Sequence, residues 1–481
     1  MEYRPTIGLE VHAELKTRTK MFCDSLNDPD EKHPNVNVCP VCLGHPGTLP
    51  VINKAAVEAV VKVGLAMDSS IATHSRFDRK NYFYPDLPKG YQISQSGEPL
   101  VGPGTYAGVR INHIHLEEDA GKLVHDDVTG STLVDYNRAS VPLMELVTEP
   151  DIHSAEAAVA FMKEIQLLLR YLGVADADLE RGQMRADANI SISAEPDVLG
   201  PRTEVKNLNS FSAVFSAIKH EIKRQTELLE KGERVKQETR GWDEAKQKTV
   251  PQRSKEHAHD YRYFPEPDLP PFEPTKVFDI EDLKRHLPEL PRVKQARFVK
   301  EFGLSERQAG QLVEDKRLAE FFEEAESELA ELENPESSNV EKSAQELLFN
   351  YLTTDLAGLM NESGASFEEC KVSPAGLAAL IDLITGGKIG SRQAKDILRK
   401  MFETGESAED ILNAEGLHTV SGEDELGKIV DEVIAENSAA VADYKKGKTA
   451  SLQFMIGKAM GKLKGRGNPG VLRTLFEQKL L

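Results

Sequence analysis

Alternation of apolar and polar residues marks several strands in the first half of the chain. The runs Thr6–Val11, Val109–Leu116 and Ala188–Ser193 repeat with a period of two, which is typical of a half-buried strand. Because successive side chains of a strand point to opposite faces, residues two apart share a face. The pattern therefore predicts strands that each have one apolar and one polar face.

Helices with readable ends accompany these strands. One helix follows a Ser154 cap and runs to Gly173, a second begins near Ser210 and stops at Gly232, and a third follows Asn53. In the first two, apolar residues recur at helical spacing and form one continuous face. The mixture of strands and helices predicts an α+β fold rather than a regular βαβ repeat.

The character of the chain changes near Arg292, after a proline-rich stretch at 260–274 that reads as a domain-edge crossing. Residues 1–293 hold most of the prolines, tyrosines and histidines. Residues 294–405 and 406–481 read as helical throughout. We therefore predict a large mixed α/β domain at 1–293, an all-helical domain at 294–405 and a small helical tail domain at 406–481.

The bulk composition excludes some classes of protein. The 481 residues carry a formal net charge of −20, which argues against a nucleic-acid coat or a general membrane binder but permits a local basic site. No apolar run is long enough to span a bilayer, and the first residues lack the pattern of a signal peptide. Four cysteines do not make a disulfide framework, so we expect a reducing, cytoplasmic environment.

Acidic and imidazole side chains recur at the strand-like runs. Glu10 and His12 share one face of the first strand, which suits two ligands of one cation. Further polar groups follow at 115–119 (HLEED), 149–151 (EPD) and 185–189 (RADAN). Oxygen ligands with one imidazole favour magnesium or manganese over zinc. A solvated strand face is the more frequent explanation of any single motif, so the prediction depends on several motifs in one domain.

Cationic residues accompany these acids. They include Lys80, Arg138, Arg185 and Lys206. A metal-binding carboxylate cluster with lysine and arginine is what phosphoryl transfer requires, because the cations stabilise the spreading negative charge. The sequence has no G-x-x-x-x-G-K-[ST] loop and no kinase signature set, so a nucleotide site must be of another kind. Salt bridges to the many acids are the simpler explanation for any single arginine.

A cysteine group forms a separate feature. Cys39-Pro-Val-Cys42-Leu-Gly is typical of a zinc knuckle, and Cys23 precedes it, which leaves one ligand missing. A thioredoxin-like role fits less well, because Gly44, Pro46 and Gly47 prevent the helix that lowers the pKa of a redox cysteine. Buried free thiols are the remaining alternative.

The end of the chain is basic and amphipathic. Leu452, Met455, Ile456, Met460 and Leu463 can form a core stripe that leaves lysines outside. In an acidic chain, a local basic patch indicates contact with nucleic acid, and a solubilising face is the alternative. The candidate contacts are Lys458, Lys462, Lys464 and Arg466.

Eight motifs resemble one enzyme family. They are IGLEVHAELKT (7–17), CPVCLGHPGTLPVIN (39–53), FDRKNYFYPDLPKGYQISQ (77–95), HLEEDAGKL (115–123), VDYNRASVPLMELVTEPDI (134–152), MRADANISI (184–192), TEVKNLNSF (203–211) and HDYRYFPEPDL (259–269). Their order and length closely resemble the B subunits of glutamine-dependent aspartyl/glutamyl-tRNA amidotransferases. The resemblance spans essentially the whole chain.

The resemblance implies a carbon–nitrogen ligase with a cradle-shaped catalytic domain. That domain uses ATP and Mg²⁺ to phosphorylate the side-chain carboxylate of misacylated Glu-tRNA(Gln) or Asp-tRNA(Asn). An amidase (glutaminase) partner, the A subunit of such enzymes, supplies ammonia, which displaces the phosphate. A small C subunit is the third member of a heterotrimer. The helical and tail domains bind the tRNA.

Carried over by motif, the resemblance implies particular site residues. Glu10, His12 and Glu118 are expected to hold magnesium, with Glu149 as a fourth member of the catalytic group. The expected ATP or substrate contacts are Lys80, Arg138, Arg185, Asp187, Lys206 and Asn207. The resemblance also implies Zn²⁺ at Cys23, Cys39 and Cys42. Because Ser25 stands where the family often has a fourth cysteine, either Asp24, His33 or water completes the site, or the site is weak or empty.

Two other functions compete with this one. A non-catalytic tRNA-binding assembly protein with a structural zinc site explains the tail and the cysteines but not the acidic faces. A free-standing glutaminase fits poorly, because the sequence shows no Ser-Lys or Cys-His arrangement in a supporting motif.

Overall fold

The computed structural model describes residues 3–126, 128–195, 198–254, 260–332, 343–415, 423–463, 467 and 469–480. The chain divides into two compact units at residues 1–291 and 292–481. The predicted boundary at 293 lies beside this division, and the further division at 405 stays a prediction. No helix of the described part is long and apolar enough to cross a membrane.

The first unit contains all the described strands. They are β1 (Arg4–Glu14), β2 (Asp78–Asn81), β3 (Tyr91–Ser94), β4 (Gly104–Tyr106), β5 (Val109–Glu118), β6 (Lys122–Asp126), β7 (Ser131–Asp135), β8 (Pro142–Thr148), β9 (Met184–Ser193), β10 (Thr203–Leu208), β11 (Glu238–Asp243), β12 (Lys248–Ser254) and β13 (Phe264–Pro265). Eight form one sheet in the order β12-β11-β10-β9-β1-β8-β5-β4, with β10 and β11 parallel and the other neighbours antiparallel. A three-stranded sheet, β13-β2-β3, and the hairpin β6–β7 complete the described strand structure.

Of the described helices, the first five belong to the first unit and the others to the second. They are α1 (Lys54–Ala66), α2 (Ala155–Tyr171), α3 (Phe211–Glu230), α4 (Pro274–Val277), α5 (Ile280–Arg285), α6 (Pro291–Phe302), α7 (Glu306–Val313), α8 (Lys316–Leu332), α9 (Ala344–Asn350), α10 (Ala357–Ser363), α11 (Pro374–Thr385), α12 (Ser391–Thr404), α13 (Ala408–Glu415), α14 (Glu423–Glu436), α15 (Ser438–Lys445), α16 (Ala450–Lys462) and α17 (Pro469–Leu480). A π-helical stretch at Tyr351–Leu356 joins α9 to α10. The predicted α+β fold class is confirmed.

The predicted helix starts are also confirmed. The side chains of Asn53, Ser154 and Ser210 accept hydrogen bonds from backbone N–H groups in the first turns of α1, α2 and α3. Each cap satisfies donors that the helix leaves unpaired and stabilises its helix by about 1 kcal/mol. These caps fix where the three helices begin and pack on the sheet.

One face of the eight-stranded sheet is apolar and packed. Ile7, Leu9, Val11 and Ala13 of β1 are essentially inaccessible, and they belong to a core that includes buried residues of α1, α2 and α3. These helices contact β1, β5, β9 and β10. Because side chains alternate along a strand, the opposite face receives the intervening residues, which are polar.

The tail of the second unit has a core of its own. Leu452, Met455, Ile456 and Leu463 are buried in it and Met460 packs against it, as the amphipathic pattern predicts. Residues of α14 and α17 complete this core.

A polar face of the sheet as the candidate active site

The polar face centres on β1, where Glu10, His12 and Glu14 alternate with core residues. In the antiparallel register, His12 pairs with Glu145 of β8 on one side and with Arg185 of β9 on the other. Chain segments more than a hundred residues apart therefore bring ionisable side chains into one row across the sheet.

Within the described residues, His12, Glu117 and Glu145 bring one ligand atom each within 4.8 Å of the others. His12 Nε2 lies 3.4 Å from a Glu145 carboxylate oxygen and 3.8 Å from one of Glu117. His115, on the same strand as Glu117, places its Nε2 3.1 Å from Glu145. One imidazole and two carboxylates that converge in this way fit a hard divalent cation.

Burial and charge act against each other in this group. Burial alone disfavours a charged imidazole, but Glu145 and Glu117 raise the pKa of His12 above its usual value. The same carboxylates raise the pKa of His115 to about 9 against the effect of burial. Burial likewise works to raise the pKa of Glu145, yet the two histidines hold it well below its usual range. The group is thus built around two carboxylates that stay ionised and need positive charge.

A second acidic group lies beside the first. Glu10, Asp187 and Glu204 also bring ligand atoms within 4.8 Å of one another. Lys206 Nζ lies 3.0 Å from Glu204 and contacts Asp187, and the Asn189 amide donates a 2.8 Å hydrogen bond to Glu10. Burial, followed by the charge of Glu145, raises the pKa of Glu10. The negative potential of the first group therefore extends to the second.

Two of the arginines expected in the site contact the same aspartate. Arg185 donates a 2.9 Å hydrogen bond to Asp119, and Arg138 Nε lies 3.4 Å from the same carboxylate. The charge of Asp119 is the largest influence that raises the pKa of Arg185. Arg138 also donates to the backbone carbonyls of Ala120 and Gly121. Arg185 lies at the start of β9 opposite His12, and Asp119 directly follows β5, so the arginine–aspartate group adjoins the polar face.

Glu118 does not join His12. It follows Glu117 on β5 and therefore points to the other face of the strand. Its carboxylate pairs with Lys89 at 2.6 Å and accepts a 2.9 Å hydrogen bond from the Ile93 N–H. The structure thus places Glu117, rather than Glu118, with His12, and the magnesium role expected of Glu118 stays a prediction.

Two other expected site residues also lie apart from the metal group. Glu149, beyond the end of β8, accepts a 2.6 Å hydrogen bond from Asn112. Asn207 adopts a left-handed backbone conformation (φ 68°) at a bulge in β10, and its amide donates to the Trp242 carbonyl. Neither side chain is thereby brought into contact with the His12 group.

Lys80 of β2 belongs to the same electrostatic neighbourhood as Glu117. Burial disfavours its charge, but Glu117, Tyr263 and Glu145 raise its pKa above the usual value. Lys80 is therefore a cation beside the proposed metal group.

Sequence reasoning missed Glu145 and Glu204, and it singled out the motif that contains His115 and Glu117 without choosing either as a site residue. Residues two apart on a strand share a face, so the alternation that placed Glu10 with His12 also places Glu117 with His115 on β5. Glu145 is the sole ionisable residue of the apolar β8 run, which is a recognisable sign of a polar site. That β1, β5 and β8 bring these residues together could not be predicted without knowing the order of the strands in the sheet.

Comparisons with known proteins place this chain among enzymes that act on tRNA. Residues 5–278 match a family model described as the GatB/GatE catalytic domain, and residues 336–480 match one described as the GatB domain. Relatives named as the B subunit of aspartyl/glutamyl-tRNA(Asn/Gln) amidotransferase are similar throughout. That of Dehalococcoides mccartyi is 46% identical over 100% of this chain and 99% of its own, and that of Thermoanaerobacter pseudethanolicus is 45% identical over 100% of both.

The chain belongs to the family of aspartyl/glutamyl-tRNA(Asn/Gln) amidotransferase B subunits. Family membership confirms the predicted resemblance and the predicted class, a carbon–nitrogen ligase of the amidotransferase type. It does not favour the alternative of a non-catalytic assembly protein. The polar face lies entirely within the part that matches the catalytic-domain model.

The cysteine group of this family member is compact. Cys23, Cys39 and Cys42 lie within 4.8 Å of one another, and the Sγ atoms of Cys39 and Cys42 are 3.9 Å apart. Thiolates about 2.3 Å from a tetrahedral zinc are about 3.8 Å from each other. The Cys39 N–H donates to Cys42 Sγ, 3.1 Å away. The three thiols therefore fit three corners of a zinc site.

The fourth corner lacks a thiol. Ser25 Oγ lies 3.9 Å from Cys42 Sγ, whereas His33 is 84% exposed and pairs with Glu31, and Asp24 is exposed. The buried Lys20 places its ammonium 3.9 Å from Cys42 Sγ. A hydrogen bond from Cys23, aided by the charge of Lys20, lowers the pKa of Cys42 to about 5.

The basic tail shows two different environments for its lysines. Lys458 is exposed, with its ammonium 5.5 Å from the centre of the Phe454 ring. Lys462 instead binds Glu432 and Glu436 of α14 at 2.9 and 2.7 Å. Lys464 and Arg466 lie outside the described residues. Of the two candidate contacts that the structure describes, Lys458 is the one that extends into solvent without a carboxylate partner in the described residues.

Proposed function

We propose that this chain activates the side-chain carboxylate of Glu-tRNA(Gln) or Asp-tRNA(Asn) with ATP and then converts it to the amide. The observation that carries the proposal is the row of carboxylates, imidazoles and cations on the polar face of the sheet. Family membership supplies the substrate class, and a negative site surrounded by arginines and lysines suits an anionic nucleotide with its divalent cation.

In this proposal His12, Glu117 and Glu145 hold Mg²⁺, with Glu10 beside them. Glu117 takes the place expected of Glu118, because only the former lies with His12. The ion supplies charge neutralisation at phosphate oxygens. Without the ion, protons on His12 and His115 balance the negative charge of the two carboxylates, and the pKa values of both histidines are raised.

The reaction balances as two displacements. An oxygen of the substrate carboxylate attacks the γ-phosphorus of ATP, which forms an acyl phosphate and releases ADP. Ammonia then attacks the acyl carbon, the carbon–oxygen bond breaks, and phosphate leaves as the amide forms. Lys80 and Arg185 are suited to stabilise the charge that spreads over the phosphoryl oxygens. Arg138, Lys206 and Asp187 complete the proposed pocket as positioning residues.

The ammonia requires a partner. We propose a heterotrimer in which an amidase (glutaminase) partner releases ammonia from glutamine and a small third protein, the C subunit, binds both larger chains. The tail holds the tRNA through Lys458, with Lys464 and Arg466 as further candidates. Charged tRNA is made in the cytoplasm, where we place the enzyme.

We also propose that the cysteine group binds one Zn²⁺ through three thiolates, with Ser25 or a water at the fourth corner. Three thiolates and one zinc leave one negative charge, which the buried Lys20 can balance. Gly44 connects this group to Lys89: its backbone packs so closely on that residue that an added Cβ would lie 2.7 Å from Lys89 Cγ. The role of the zinc is therefore to brace the loop that holds Lys89 against Glu118.

Hydroxylamine trapping tests the function directly. The assembled complex is incubated with ATP, Mg²⁺ and Glu-tRNA(Gln) without glutamine, and hydroxylamine takes the place of ammonia. An acyl phosphate yields a tRNA-linked hydroxamate that depends on ATP. Amide formation with glutamine but no ATP-dependent hydroxamate would contradict the activation step.

A further inference from the structure

Three tyrosines form a group beside the candidate active site. The rings of Tyr82 and Tyr261 are 5.9 Å apart, and those of Tyr261 and Tyr263 are 6.0 Å apart, both pairs edge-to-face. Tyr82 and Tyr261 are half-buried, whereas Tyr263 is 43% exposed. We call these three residues the tyrosine cluster. Its outermost ring has surface open to solvent.

The backbone holds this cluster in an uncommon conformation. Arg262, between two of the tyrosines, has a φ of 42°, in the left-handed region that side chains other than glycine rarely adopt. The side-chain amide of Asn81 donates hydrogen bonds to the carbonyls of Tyr261 and Arg262, at 3.1 and 2.9 Å. These bonds tie the kinked segment to the end of β2. Strained backbone that its surroundings hold in place is frequent at functional sites.

The cluster adjoins Lys80, one of the proposed phosphate-binding cations. Lys80 Nζ lies 5.3 Å from the centre of the Tyr261 ring. The same lysine interacts electrostatically with Glu117 of the metal group and with Tyr263. A ligand that contacts both Lys80 and the cluster would thus have an anionic part near the metal group and a flat part on the tyrosines.

We propose that the tyrosine cluster is a stacking site for an adenosine. An aromatic base is flat, can cover the exposed part of Tyr263 and needs no charged partner on its faces. The proposal rests on the proposed function, which brings two adenosines to this site: that of ATP and the 3′-terminal nucleotide of the tRNA.

The test compares ligands with and without their adenosine. The assembled complex, with Mg²⁺, is titrated with ATP and with tripolyphosphate in one arm. In the other arm it is titrated with tRNA(Gln) ending in CCA and with the same tRNA lacking the terminal adenosine. For each pair, the ratio of dissociation constants measures what the adenosine contributes. We expect Tyr263→Ala to reduce that ratio about fivefold or more in at least one arm, because one base stacks on one ring.

Two further variants separate stacking from other roles. Tyr263→Phe keeps the ring and loses the hydroxyl, so stacking predicts a ratio within about twofold of the wild type. Phe83→Ala removes an 82% exposed aromatic ring near Tyr82 in sequence, and should leave both ratios unchanged.

The arm that responds names the source of the adenosine. A reduced ratio with ATP assigns the nucleotide cofactor, one with tRNA assigns the terminal nucleotide, and reductions in both show a site that accepts either. Unchanged ratios in both arms, or a Tyr263→Phe loss equal to that of Tyr263→Ala, overturn the proposal. Transamidation by the wild-type complex is assayed in the same preparation, so that a failure of the proposed function is seen separately.

Discussion

His12 and Glu145 face each other across the β1–β8 pair, with the imidazole Nε2 3.4 Å from a carboxylate oxygen. The contact joins residues 133 positions apart in sequence, and Glu117 reaches the same histidine from β5. In this group two carboxylates stay ionised and two histidines have raised pKa values. A divalent cation can replace the protons of the histidines and hold the group together. The proposed catalytic role of the polar face depends on this contact.

Glu117 and Glu118 should respond differently to magnesium. Glu117→Gln removes a proposed ligand, so we expect the Mg²⁺ concentration for half-maximal transamidation to rise roughly tenfold or more. Glu118→Gln removes the partner of Lys89 instead, and should leave that concentration within about twofold whatever its effect on the maximal rate. Titration of Mg²⁺ in the transamidation assay measures both, and the reverse order of effects would restore Glu118 as the ligand.

Glu14 should make the stability of the first unit fall as the pH rises. Burial, followed by the charge of Asp119, raises its pKa from 4.5 to about 8. The folded protein thus keeps the Glu14 proton where the unfolded chain has lost it. The stabilisation that this proton contributes is complete below about pH 4.5 and is lost as the pH rises through about 8.

The control for this pH effect is Glu14→Gln, which cannot titrate. Between about pH 5 and pH 8, we expect the melting temperature of the wild type to fall relative to the variant by roughly 5 °C. Thermal unfolding followed by circular dichroism at a series of pH values measures the difference. Parallel curves for the two proteins would show that Glu14 does not carry a raised pKa.

A fourth thiolate should tighten the proposed zinc site. Ser25 Oγ lies near the position a fourth ligand would take, so Ser25→Cys completes a four-cysteine site. We expect the purified wild type to carry about one zinc per chain, and Ser25→Cys to release it to a chromogenic chelator at least about tenfold more slowly. Ser25→Ala should resemble the wild type. Elemental analysis that finds no zinc in any of the three proteins would refute the site.

Lys458 and Lys462 of the tail should contribute unequally to tRNA binding. Lys458 extends into solvent beside Phe454, whereas Lys462 binds two glutamates of α14. We expect Lys458→Ala to weaken tRNA binding and to reduce the slope of log affinity against log salt by about 1, and Lys462→Ala to change the slope less. Filter binding at several salt concentrations gives both slopes, and equal slopes would count against this assignment.

Much of the first unit was predictable from local pattern. The caps at Asn53, Ser154 and Ser210 and the alternation along β1 are local signals, since each depends on residues a few positions apart. Glu10 and His12 could be placed on one strand face for the same reason. Their partners could not, because Glu117 and Glu145 reach His12 only through strand pairing, which no local pattern contains.

The motif resemblance favoured Glu118, whereas the structure places Glu117 with His12, and a shift of one residue on a strand moves a side chain to the opposite face. The bulge at which Asn207 donates to the Trp242 carbonyl was equally invisible in the sequence, because asparagine tolerates a left-handed backbone but does not require one.

Manganese binding to the full-length chain tests the central claim most directly. Electron paramagnetic resonance counts free Mn²⁺, so it reports occupancy without ATP, tRNA or partner proteins. We expect Glu145→Gln to weaken Mn²⁺ binding about tenfold or more, and Glu149→Gln, whose side chain binds Asn112 instead, to leave it unchanged. Equal affinities for the wild type and Glu145→Gln would contradict a cation site at His12, Glu117 and Glu145.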